Sequence, residues 1–474
     1  MSNIPDTLKT QPLATIDTMH IETSVLEPLV INQNFCRFVL EKKGILDAGS
    51  SIQFSLKVTN AGQTAWLPIK TGIHSLIKSA VLRIGTKVIA NTDDYAYYQT
   101  IRRQFKTPEE KSQKDMVKSG TVDVLCPDNM ATGMYQIRDA NYQADLEAGL
   151  CLSQYLLNSD PEQTPVYSIK ISDLFPMMRS VQLPLYLISQ PTSIELTFNT
   201  QPNGVDSYGT LGLFPLGYGG DTEITLNTHH VKFLCDYLTY DDSRMEETAK
   251  LVMSETGMTI PYEDIVLTST QWPLSNPAPA AGSAVKYQIT RDLGLSGMML
   301  RSILVHMYAR VPLLEMSPLG KYSSNAYNIP ETIQIRINDK QIYPREISSE
   351  TQKAHQLAQV FGTELSVQSC EYSLDTVADK STNNGATNNY VVSPATYENY
   401  TQPSIIGTSH YLGADFTISP INNAGNGILV GQKPVQFMHT ITNTDTDNFT
   451  RDVRYFSLIE RTMMIKGGEI YVSS

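Results

Sequence analysis

From Ser51 to Val58 every second residue is apolar: Ile52, Phe54, Leu56 and Val58 fall on one side of an extended chain, and Ser51, Gln53, Ser55 and Lys57 on the other. That alternation predicts a strand with one packed face and one wet face. Short runs rich in β-branched and aromatic residues, bounded by Asn, Asp, Gly, Pro and Ser, recur at 34–40, 76–84, 87–91, 166–171, 181–188, 193–199 and 222–240, the last long enough for two strands. Helical periodicity is confined to 95–105, where Tyr97, Ile101 and Phe105 recur every four residues, and 350–361, where Ala354, Leu357, Ala358 and Phe361 form a stripe. Strand upon strand with so few helices predicts an all-β sandwich or barrel, because parallel α/β folds need a helix after nearly every strand.

One block occurs twice. Leu82-Arg83-Ile84-Gly85-Thr86-Lys87-Val88-Ile89 aligns without gaps on Ile335-Arg336-Ile337-Asn338-Asp339-Lys340-Gln341-Ile342, roughly half a chain length further on. Each copy reads as strand, two-residue turn, strand, and both turn pairs use residues that tolerate the positive φ required by primed hairpin turns. A helix follows in both copies, opened by Asp93 or Asp94 in the first and by the Ser349, Gln352 capping box in the second. Recurrence at half the chain implies duplication of one all-β unit. The polar segment 241–247 marks the boundary, giving a first domain at 1–245, with an N-terminal arm over about 1–30, and a second at 246–474. Four segments, 106–164, 200–221, 313–329 and 363–404, are too long for simple connections and predict ordered excursions from the sandwiches.

Composition narrows the function. The 474 residues carry 36 Lys+Arg against 48 Asp+Glu, a net charge of -12, with no basic cluster, which argues against a sequence-independent grip on nucleic acid. Gly (28) and Pro (25) are ordinary in number and exclude a collagen-like or low-complexity chain. Asp6 and Lys9 interrupt the first twenty residues, so no secretory signal is expected and synthesis is expected in the host cytoplasm. Cys36, Cys126, Cys151, Cys235 and Cys370 are scattered and odd in number, which suits buried small hydrophobes better than disulfides or zinc. The most apolar stretch, 293–308, contains Arg301 and is too short to cross a bilayer.

Several strings carry a family likeness. The run Pro68-Ile69-Lys70-Thr71-Gly72-Ile73-His74-Ser75-Leu76-Ile77-Lys78-Ser79-Ala80-Val81-Leu82-Arg83-Ile84-Gly85 resembles the first jelly roll of viral double jelly-roll major capsid proteins. So do Asp173-Leu174-Phe175-Pro176, Gln182-Leu183-Pro184, Ile194-Glu195-Leu196-Thr197-Phe198, Cys235-Asp236-Tyr237 and Tyr262-Glu263-Asp264. The chain is most similar to capsid proteins of Polinton-like viruses and virophages, within the adenovirus and nucleocytoplasmic large DNA virus lineage, over most of residues 30–270. The resemblance implies two tandem jelly-roll sandwiches with a few short helices and long loops. It also implies a homotrimer forming a pseudo-hexagonal, hexon-like tile of an icosahedral shell around a double-stranded DNA genome. Its partners would be neighbouring capsomers and minor capsid and penton proteins, and its location the virion. The long excursions would be tower and contact loops. Tyr135, Tyr142, Tyr155, Tyr372, Tyr390, Tyr397 and Tyr400, in 106–164 and 363–404, suit a partly wet subunit interface.

The sharper chemical readings are weak. His229 and His230 are adjacent, and on a regular strand their rings point to opposite faces and cannot share a metal. His74, His306, His355, His410 and His439 are isolated, and the chain has no H-x-H or H-E-x-x-H. Asn443, Asp445 and Asp447 match the start of a calcium loop, but Asn448 replaces its glycine and Arg454 its bidentate glutamate. Gly217, Gly219 and Gly220 lack phosphate-loop spacing. Glu109-Glu110 and Glu246-Glu247 lie in polar segments, unlike the facing carboxylates of a glycosidase. The sequons at Asn399-Tyr400-Thr401 and Asn448-Phe449-Thr450 matter only in a secreted protein. Trp66 and Trp272 could stack on sugars, so the alternative to a capsid subunit is a soluble two-domain glycan-binding, lectin-like β-sandwich. No catalytic, cofactor or metal site and no enzymatic activity are expected.

Overall fold

The structure is a computed structural model that describes residues 20–58, 65–66, 71–104, 116–120, 156–157, 166–199, 224–240, 242–255, 257–272, 285–309, 332–361, 411–417, 427–443 and 451–473. The first half supplies β1 (His20–Leu26), β2 (Phe35–Val39), β3 (Ser51–Val58), β4 (Ile77–Ile84), β5 (Lys87–Thr92), α1 (Tyr95–Gln104), β6 (Val166–Lys170), β7 (Thr192–Phe198) and β8 (Lys232–Thr239). After α2 (Asp242–Met253) the second half supplies β9 (Met258–Trp272), β10 (Val285–Asp292), β11 (Met299–Ala309), β12 (Thr332–Ile337), β13 (Lys340–Gln341), α3 (Glu350–Phe361), β14 (Tyr411–Asp415), β15 (Gln436–Asn443), β16 (Arg451–Lys466) and β17 (Glu469–Ser473).

These strands form two pairs of facing sheets. In the first half the orders are β1-β8-β3-β6 and β2-β7-β4-β5; in the second they are β9-β16-β11-β14 and β10-β15-β12-β13. Adding eight to each first-half label reproduces the second half, and a helix follows the fifth strand in both. This repeated eight-strand order is the jelly roll, so the fold is a double jelly roll. Short strands extend the sheets: Val30–Ile31 pairs with β2, Ile45–Leu46 with β8, Ile224–Leu226 with β3, Ile428–Leu429 with β11, and β17 with β16.

Each roll closes on the residues that alternation selects. Ile52, Phe54 and Leu56 of β3 are fully buried with Phe38, Phe198 and Phe233, and edge-to-face pairs join Phe38 to Phe233 and Phe54 to Phe198 at 5.6 and 6.2 Å. Burying one such side chain contributes about 1.5–3 kcal/mol. The opposite face of β3 is drier than expected, since Ser51 and Gln53 are half-buried and Ser55 is buried. The second core gathers Ile303, Val305, Ile335, Phe437, Tyr455 and Ile459.

The repeated hairpins use different turn chemistry. Asn338 and Asp339 both have positive φ (52° and 63°), as a type I′ turn requires, whereas in the first copy only Gly85 does (59°), the type II′ pattern. Ser349 caps α3 by accepting the Gln352 N–H at 3.1 Å.

Three expectations change. Segment 181–188 holds an isolated bridge from Leu183 to Leu46 and a 3-10 turn at Leu185–Leu187 in place of a strand, because Pro184 lacks the N–H a ladder needs. The span 222–240, by contrast, holds two strands, as its length allows, Ile224–Leu226 and β8, separated by a 3-10 turn at Thr228–His230. Within the arm expected over 1–30, His20–Leu26 is the edge strand β1, hidden from pattern reading because its residues are mostly exposed and polar. The polar segment at the boundary is helical from Asp242 and forms the first half of α2, whose mixed sequence carries no strong apolar stripe.

Candidate assembly surfaces

The residues singled out for chemistry do not converge. Among the described residues no three His, Cys, Asp or Glu side chains are placed to hold a metal. His229 and His230 are exposed in the 3-10 turn, not on a strand. His74 is buried and bonds the Tyr95 hydroxyl at 2.7 Å; His355, exposed on α3, bonds Gln359. His439 is enclosed by Phe437, Trp272 and Tyr455, with its Nε2 2.9 Å from the Tyr455 hydroxyl. Burial, helped by Lys353 and Arg291, lowers its pKa to about 3, so it is a neutral core residue. Cys36 and Cys235 are buried, and burial pushes both thiols up to about 12, far from reactive. Trp272 is fully buried and cannot face a sugar. Glu246 and Glu247 are exposed on α2.

Other candidates lie outside the described residues: Cys126, Cys151, Cys370, His410, Gly217, Gly219, Gly220, Glu109, Glu110, Asp445, Asp447, Asn448, both sequon threonines and the seven loop tyrosines. So do the Trp66 side chain and nearly all of the four long excursions.

The structure instead assembles a seam between the two rolls. Alternation on β9, β11 and β16 turns Ile265, Leu304, Phe456 and Leu458 away from the second core, onto the outer face of its sheet. Tyr97, Tyr98 and Ile101 of α1 cover that face, with Leu357 and Val360 of α3 beside them. Tyr98 meets Phe456 at 5.6 Å and Tyr97 meets His306 edge-on at 4.9 Å. Arg454, the residue out of place in a calcium loop, crosses the seam: its Nε donates to Asp94 at 2.6 Å and its guanidinium stands 3.7 Å from the Tyr97 ring centre. Arg179 bonds the Tyr98 hydroxyl at 3.1 Å and lies 3.9 Å from Glu263, which also faces Arg301 at 3.5 Å.

Below α1 the fifth strand of the first roll abuts the first strand of the second. Tyr262 donates to the Ile89 carbonyl at 2.8 Å. Asp264, nearly inaccessible, pairs with Arg461 at 3.0 Å. Burial raises its pKa to about 6, against the opposing pull of Arg461 and the N–H groups of Ile265 and Asn91.

The C-terminal hairpin completes the seam. Met463, Ile465 and Ile470 are buried in the first roll's core, Lys87 donates to the Ile470 carbonyl at 2.6 Å, and Gly467 N–H reaches the Val252 carbonyl at 3.0 Å. Sequence periodicity marks Tyr97 and Ile101; Asp94 stands out in the sequence only as a helix opener, Arg454 only as a misfit in a calcium loop and Tyr262 only within a family string, and nothing local assigns them to a seam, because their partners are distant in the chain.

Two further surfaces lie open outside this seam. Ile21, Val25 and Leu29, on or just after β1, are more than half exposed. On the second roll an open groove of about 630 Å³ lies between residues 343–347 and α3, lined by Tyr343, Pro344, Ile347, Gln352, His355 and Gln356.

No family model and no curated protein matches the chain in sequence. Solved structures do match in fold. A chain of the Sputnik virophage, solved by cryo-electron microscopy, is similar at 12% identity with a TM-score of 0.58 over 96% of this chain and 88% of that one. The capsid of the virus PBCV-1 matches at 10% identity and a TM-score of 0.56, over 96% and 97%. The mavirus major capsid protein matches at 11% identity and 0.52, over 95% and 90%. The double jelly-roll fold of these viral proteins therefore extends over nearly the whole chain.

Proposed function

We propose that this chain is a viral major capsid protein, a non-enzymatic subunit that assembles as a homotrimer. Each trimer presents six jelly rolls, from units 1–245 and 246–474, as a pseudo-hexagonal tile of an icosahedral virion enclosing double-stranded DNA. The observation that carries the reading is the repeated eight-strand order joined by a packed seam. Three chains of two similar, firmly joined rolls approximate sixfold shape, which tiles a surface while leaving the two rolls free to differ. The fold likeness to capsid proteins supports it. The Tyr-rich segments 106–164 and 363–404 would line contacts between subunits, and minor capsid and penton proteins would meet the outer edges of the tile.

Mass in solution tests the reading. A chain of 52.7 kDa should sediment as a stable species of about 158 kDa, three times its own mass. A monomer at micromolar concentration would overturn the proposal, and electron microscopy of the trimer should show six-lobed particles.

A further inference from the structure

The two cores are not equivalent. Among the described residues the second core draws only on the second half of the chain, from Val266 to Ile459. The first core takes in Ile260, Tyr262, Met463, Ile465 and Ile470 beside the residues of its own strands. The first roll therefore completes its interior with residues of the second half, and the second core takes no described residue from the first.

Strand length and register explain the asymmetry. β9 and β16 run 15 and 16 residues and stay paired from Trp272 with Arg451 to Met258 with Ile465. Strands of globular domains usually run about 5–6 residues, so this pair spans its own sandwich and overruns it. After Gly467-Gly468, β17 folds back as a third strand and sets Ile470 opposite Ile465 and Val472 opposite Met463. One face of the resulting ribbon carries Met258, Ile465 and Ile470 in one row and Ile260, Met463 and Val472 in the next. That face packs into the first core. The ribbon is also held at its tip: the Ser189 N–H and hydroxyl donate to the Gly468 carbonyl at 3.0 and 2.8 Å, and Lys87 donates to the Ile470 carbonyl at 2.6 Å. The fit there is close, since a Cβ on Gly468 would stand 3.2 Å from the Ser189 Cβ.

We propose that this ribbon is a clasp that makes the first roll depend on the second. The second roll folds on its own core, and the first reaches its native packing only when the last residues of the chain dock into it. Domains made early ordinarily fold early, as synthesis proceeds. Here the domain made first is completed by Ile470, which follows its partner Lys87 by 383 residues. Closing so long a loop must precede the contacts that reward it. Pairing of β9 with β16 lowers that barrier, because it delivers the ribbon as a formed piece beside β5. The order of folding is thus the reverse of the order of synthesis, and a chain that stops short of β17 has an unfinished first roll. The inference does not depend on the capsid reading.

The test uses the full chain, at one protein concentration because assembly adds its own protection. Hydrogen exchange is read strand by strand. Ile470→Ala, in the clasp, should speed exchange in β3, β4 and β5 by about tenfold or more while leaving β12 and β15 unchanged. Ile335→Ala, in the second core, should speed exchange in both rolls, since the clasp is carried on the second. Equal acceleration of both rolls by Ile470→Ala, or none in the first, would overturn the proposal, as would an Ile335→Ala effect confined to the second roll. Should either variant fail to fold, refolding of the wild-type chain under pulsed exchange decides the matter: β12 and β15 should gain protection before β3 and β4, and simultaneous or reversed protection overturns the inference.

Discussion

Arg454 offers the most direct test of the seam, because one side chain makes two separable contacts across it. Its Nε–Asp94 bond is 2.6 Å long, and the two side chains are 13% and 23% exposed. Removing one member of a fully buried pair costs about 3–5 kcal/mol, whereas exposed pairs contribute about 0–1. Partial exposure places this pair between those limits, at about 2 kcal/mol. The Tyr97 ring, 3.7 Å from the guanidinium, adds roughly 1 kcal/mol of cation–π attraction. Arg454→Met, which keeps the apolar stem, should therefore destabilise the protein by about 3 kcal/mol. Asp94→Asn is the matched partner change, since Asp94 has φ 48° and Asn tolerates that region better than most residues. Urea unfolding of wild type, both single variants and the double variant should give a coupling energy of about 1–2 kcal/mol. All four must be measured at one protein concentration, because assembly shifts the midpoint. A coupling below about 0.5 kcal/mol, with a near-neutral Arg454→Met, would refute a seam fastened by this pair.

Three further perturbations probe other parts of the structure. Gly85→Val should destabilise the first roll by roughly 1–2 kcal/mol, since a β-branched residue resists φ 59° and its Cβ would run into Gln190; an unchanged melting temperature would contradict the turn assignment. Asp264 should make the seam weaken as pH rises: its carboxyl moves from 3.8 unfolded to about 6 folded, so the native state binds the proton more tightly, and about 3 kcal/mol present below pH 4 is lost as pH climbs through 6. His439 pulls stability in the opposite direction, so the signal is the difference between wild type and Asp264→Asn in urea midpoints from pH 4 to 7, and a flat difference would exclude the linkage. Gly413→Val should cost about 1–3 kcal/mol and expose α3 to hydrogen exchange, because a Cβ there would lie 2.8 Å from Leu357 Cδ1 and 3.2 Å from its Cα; unaltered protection would show that α3 does not rest on β14.

Much of the architecture was legible in the chain, for a physical reason. A strand with one buried face must alternate, so β3 reads directly from Ile52, Phe54 and Leu56, and a tight hairpin needs residues that accept positive φ, so Gly85 and Asn338 mark the two copies of one unit. The family likeness and the all-β class follow from the same strings. Local pattern could not place β1, because an edge strand with exposed Ile21 and Val25 has no buried face to impose alternation. Nor could it foresee that α1 would be buried on both sides. One side packs Tyr95 into the first core and the other presses Tyr98 and Ile101 onto the second roll, with Gln99 and Thr100 held in the interior by hydrogen bonds to the Asp173 carbonyl and to Ala96 and Thr71. Periodicity reports a contrast between a helix's apolar and wet faces, and a helix held between two domains loses that contrast. The seam itself was invisible for the same kind of reason: Asp94 and Arg454 are 360 residues apart, and only the closure of both sandwiches brings one carboxylate and one guanidinium together.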